Sequence, residues 1–95
     1  MQDSSRTRPY WVPSKKTPSL TTDERLRISE VIREKISHFS LTYVWLIHRL
    51  SDDGMFTDKF EMSAVLSGMR TGPKADEILR RSNAILTEYE LRMRN

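Results

Sequence analysis

The chain has 95 residues, sixteen Lys and Arg against thirteen Asp and Glu, and a net charge of +3. That length holds one small domain with a modest core and leaves no room for a large catalytic cleft. With no cysteine and only His38 and His48 as imidazoles, a disulfide framework, a thiolate zinc site and a His-based metal centre are excluded, so no metal or cofactor is expected.

No apolar run approaches the roughly 20 residues of a membrane span, and no short apolar signal-peptide core is present. A cytoplasmic protein without membrane contact is expected. Charge is unevenly placed. In residues 1–20, Arg6, Arg8, Lys15 and Lys16 face only Asp3, whereas basic and acidic residues balance over 21–95. The segment "MQDSSRTRPYWVPSKKTPSL" holds three of the four prolines and no periodic apolar pattern. It reads as an extended or flexible basic arm, residues 1–20, ahead of a helical domain, residues 21–95. Such an arm holds nucleic acid in some proteins and only solubilises others. Its "PYWVP" cluster is costly to leave in water, so it packs back on the domain or anchors a partner.

The body opens with a capping-box pattern, Thr21 to Glu24, followed by Ile28, Val31, Ile32, Ile36 and Phe39 at helical spacing. This predicts a first helix over about 22–37. The second restarts at "SLTYVWLIHRLSDDG" with Ser40 as its N-cap and Gly54 closing it. It is apolar on nearly all sides, which predicts burial on nearly all sides at the centre of the fold. "MFTDKFEMSAVLSG" predicts a third helix capped by Thr57 or Asp58 and ended by Gly68. The fourth starts at Pro73 and buries Ile78, Leu79, Ile85, Leu86 and Tyr89. No period-2 pattern appears, so the expected class is all-α, four helices behind an arm.

In the third helix, Met62, Val65 and Leu66 share one face at 100° per residue, and Phe60, Ser63, Ala64 and Ser67 share the other. An ordinary solvated face carries Lys and Glu. This one is mostly small, which suits close approach to another surface, with serine hydroxyls for bases or phosphates and Ala or Phe for a thymine methyl.

Together, the apolar pair Leu46-Ile47, Leu50, the run "MSAVLSG" and the basic "MRTGPK" resemble the helix-turn-helix of small phage and prophage regulators of the Cro and lambda-repressor-like (XRE-type) family, over about residues 40–86. The stretch "SDDGMFTDK" is longer than that family's tight turn. The resemblance implies a sequence-specific regulator of transcription that occupies an operator in double-stranded DNA. It implies that the third helix enters a major groove, with Lys59, Phe60, Ser63, Ala64 and Ser67 reading bases. Ser40, Thr42 and Tyr43 would lie on one flanking phosphate. Arg70 and Lys74 would grip the backbone beside the free N–H groups of the fourth helix, and Arg6 and Arg8 would follow the minor groove. A homodimer through the fourth helix and "TEYELRMR" would supply two half-sites.

Asp52, Asp53, Asp58 and Glu61 around the start of the third helix oppose phosphate approach, although Asp58 and Glu61 also suit a helix N-terminus. They keep a second class open: a helical adaptor or inhibitor, such as a phage anti-host factor or repressor partner, binding a protein through Met55, Phe56, Phe60 and the aromatic arm. No catalytic residue is expected. Ser, His and Asp form no triad pattern, and Asp52-Asp53-Gly54 lacks the spaced oxygens of a calcium loop.

Overall fold

A computed structural model describes residues 19–94. Over these residues the chain forms four helices and no strand: α1 (Thr22–His38), α2 (Tyr43–Asp52), α3 (Lys59–Ser67) and α4 (Pro73–Arg94). The basic arm, with Arg6, Arg8 and the "PYWVP" cluster, lies outside the described residues except for Ser19 and Leu20.

The start signals act as their chemistry dictates. Thr21 and Glu24 form the reciprocal capping box of α1, each satisfying a backbone N–H that the first turn leaves unpaired. Asp58, rather than Thr57, caps α3 by accepting from the Glu61 N–H at 2.8 Å. Pro73 is the first residue of α4, where its missing N–H costs nothing.

The expected cap of α2 is corrected. Ser40 does not start that helix; Thr42 does, accepting from the Trp45 N–H at 3.0 Å. Ser40 instead finishes α1, at φ +56°. Its N–H donates to the Ser37 carbonyl, and the Leu41 N–H donates to the Ile36 carbonyl at 2.8 Å, the paired bonds of a Schellman ending. The end of α2 repeats this pattern with Gly54 at φ +84° and Met55 donating to the Leu50 carbonyl.

The core gathers Ile32 and Ile36 of α1, Leu46 and Leu50 of α2, Met62, Val65 and Leu66 of α3, and Ile78, Leu79 and Leu86 of α4, with Met55 and Ala75. Ile85 and Tyr89 of α4 are only half-buried. α2 is not the buried centre that its composition predicts. Only Leu46 and Leu50 are buried, Val44 is exposed, and Tyr43, Trp45 and Ile47 are half-buried at the margin. The axis of the fold is α4, which packs on each of the other three helices.

Side-chain bonds fix directions. Arg25 meets Asp76, Lys35 meets Thr87 and Glu90, and Phe39 stacks edge-on against Tyr89. Positions rise together along both chains, so α1 and α4 run parallel. Trp45 lies against Tyr89 while the Asp53 carbonyl accepts from Arg81, so α2 runs antiparallel to α4.

Candidate nucleic-acid interface

The capped start and the glycine end hold α3 in a fixed rotation. Met62, Val65 and Leu66 are at most 2% exposed, and their burial turns the opposite side outward. Lys59, Phe60, Ser63 and Ser67 are exposed there, with Ala64 half-exposed between them. Phe60 is 89% exposed, an unusual setting for a phenyl ring. Ser67 Oγ donates to the Ala64 carbonyl at 3.1 Å, while the Ser63 hydroxyl projects from the middle of the face.

One end of this face carries an ionic cluster centred on Glu61. Its carboxylate accepts from Thr57 Oγ1 at 2.7 Å, from Arg70 Nη1 at 3.1 Å and from Lys74 Nζ at 3.1 Å. Partial burial pushes the Glu61 carboxyl up, but the Thr57, Lys74 and Arg70 bonds outweigh this and hold it below the usual glutamate value. Two cations thus share one carboxylate, and the cluster carries net positive charge. Both cations remain about half exposed, Arg70 on the α3–α4 connection and Lys74 in the first turn of α4.

In the same first turn of α4 as Lys74, Asp76 is buried and takes Arg25 Nε at 2.8 Å and the Leu20 N–H at 3.1 Å. That second bond ties the base of the N-terminal segment to the first turn of α4, two residues from Lys74.

The sequence-predicted residues therefore fall into separate groups. Lys59, Phe60, Ser63, Ala64 and Ser67 share one face, with Arg70 and Lys74 at its margin. Ser40, Thr42 and Tyr43 stand toward the other end of α4, because the start of α2 packs beside Tyr89. Tyr89 is about 22 Å along the helix axis from Lys74. Thr42 is occupied as a cap and Tyr43 is half-buried against the core. Met55, offered above as a partner-binding residue, is fully buried and cannot reach a partner, whereas Phe56 is 44% exposed. The sequence offers Glu61 as a carboxylate opposing phosphate approach or as a helix-start acid, not as the partner of Arg70 and Lys74. The Thr57–Glu61 spacing of four was readable, but its partners across the α3–α4 connection were not.

Among the described residues no group of three or more His, Cys, Asp or Glu is placed to hold a metal ion. No described helix is long and apolar enough to cross a membrane. No family model, curated protein or solved structure matches this chain.

Proposed function

We propose that this protein is a small helical DNA-binding regulator of transcription that occupies a duplex site through the outward face of α3, in the manner of the Cro-like regulators it resembles. The observation that carries this reading is the pairing of a small, exposed helix face with a net-positive margin formed by Arg70 and Lys74. Small side chains let a helix sit close in a groove, where serine hydroxyls, Lys59 and Phe60 can meet base edges, and phosphates hold it there through cations at the rim. The basic residues of 1–18 add to that attraction from a chain anchored at Asp76. Two copies on two half-sites about one helical turn apart would supply the specificity a single short helix lacks. The end of α4 offers Leu91 and Met93, both more than half exposed, for that contact.

The test is binding of the full chain to random and selected duplexes by fluorescence anisotropy over a salt series. With about four to six phosphate contacts, log K should fall with log salt at a slope of roughly −4 to −5. Removing residues 1–18 should make it shallower. A second reading, a protein partner, is favoured by Phe60 at 89% and Met69 at 85% exposure, since large bare apolar side chains mark contact surfaces. Absence of duplex binding at low salt would select it.

A further inference from the structure

Two glutamates occupy the third position of their helices and are used differently. Glu24 of α1 turns back and accepts from the Thr21 N–H at 2.8 Å, completing a cap. Glu61 of α3 instead accepts from the Thr57 hydroxyl and the cations of Arg70 and Lys74. Helix-start chemistry therefore does not account for where its carboxylate points. The carboxylate is the covered member of the cluster, 13% exposed, beneath an arginine 58% exposed and a lysine 47% exposed. An anion underneath two outward cations presents to them what a backbone phosphate would present from outside.

We propose that Glu61 tethers Arg70 and Lys74 in the free protein and holds down the sequence-independent, phosphate-driven part of duplex binding. The proposal rests on the nucleic-acid reading above and names how that same surface is restrained. On a random duplex, the phosphates must compete with Glu61 for the two cations, and nothing else offsets the loss. On a fitting site, base contacts from Ser63 and its neighbours add free energy that does not depend on those cations. The tether acts on both kinds of site and leaves their ratio unchanged, but it lowers the affinity of both, so that only a fitting site is held tightly enough to be occupied.

The experiment compares the parent chain with Glu61→Gln and Glu61→Met by anisotropy on a random-sequence duplex over a salt series, alongside thermal melts. Glutamine keeps the shape and the Thr57 bond. Methionine keeps the length, so a fold defect in one variant does not decide the outcome. Removing one negative charge beside the phosphates should steepen the log K–log salt slope by about one and raise affinity roughly tenfold at 50 mM salt. A merely structural role would lower the melting temperature and leave the slope unchanged. Variants that bind random duplex with the parent's affinity and slope overturn the proposal and leave the duplex-binding reading standing. If neither parent nor variants bind duplex at low salt, both fall together.

Discussion

Arg25 and Asp76 are unequal partners. The Asp76 side chain is 2% exposed and that of Arg25 is 23% exposed, so removing one does not mirror removing the other. Arg25→Ala strands a buried carboxylate that keeps only the Leu20 N–H, and should be the more destabilising of the two. Asp76→Asn removes the buried charge but sets an NH2 against the Leu20 N–H or the Arg25 guanidinium, and should cost the smaller amount, about 1–2 kcal/mol. Urea melts of the two variants check this order. Burial pushes the Asp76 carboxyl up, but Arg25 and the Leu20 N–H overcome it and hold it below the ordinary value. The folded state thus has the lower pKa. The stability this contributes is complete above the unfolded value, near 4, and is lost as pH falls through the folded one. Asp76→Asn should therefore flatten the acid limb of a melting-temperature profile, leaving the part that Glu61 and Glu24 share. Ser40 gives a prediction of opposite sign. Its φ of +56° crowds a Cβ that glycine lacks, so Ser40→Gly should stabilise by about 1 kcal/mol, read as a higher melting temperature.

At the scale of an element, α3 sets buried core residues and the exposed face proposed above for duplex binding within a few positions of each other. Leu66→Ala opens a cavity among side chains that are 2% exposed or less, and should cost roughly 2–5 kcal/mol. Ser63→Glu should change stability by no more than about 0.5 kcal/mol, yet it sets a carboxylate against phosphate and should abolish duplex binding. Melts and anisotropy on both variants give the comparison. The buried and outward faces of α3 were legible in the sequence because a helical period needs only local spacing. The caps at Thr21 and Asp58, the Gly68 ending and the Pro73 start were legible for the same reason, each signal spanning a few residues. Ser40 was misread because a serine in the left-handed region looks, by residue type, like a serine about to cap. The apolar character of α2 told how much surface it must cover, not that α4 would cover only one side. The burial of Asp76 and Ser82 and the pairing of Glu61 with Lys74 depend on which helices meet, and periodicity carries no record of that.

For the whole molecule, the decisive fact is that α4, which like α3 touches each of the other helices, makes the most extensive helix–helix contact of the fold, with α1. Ile32 and Ile36 of α1 join the cluster that contains Ile78, Leu79 and Leu86, and isolated helices of this length are marginal in water. A fragment ending at Gly72 should therefore lose helical circular dichroism well beyond the share of the residues removed. The parallel course of α1 and α4 also bears on how the protein is made. A ribosome releases α1 first, yet the partners of Arg25 and Lys35 emerge only some fifty positions later. At ordinary elongation rates the interval is roughly 3 to 10 s. Throughout it, the part of the α1 stripe that α4 covers remains in water, open to chaperones or to other nascent chains, even after α3 is available to cover the rest. Of the four described helices, α1 waits longest for its principal partner.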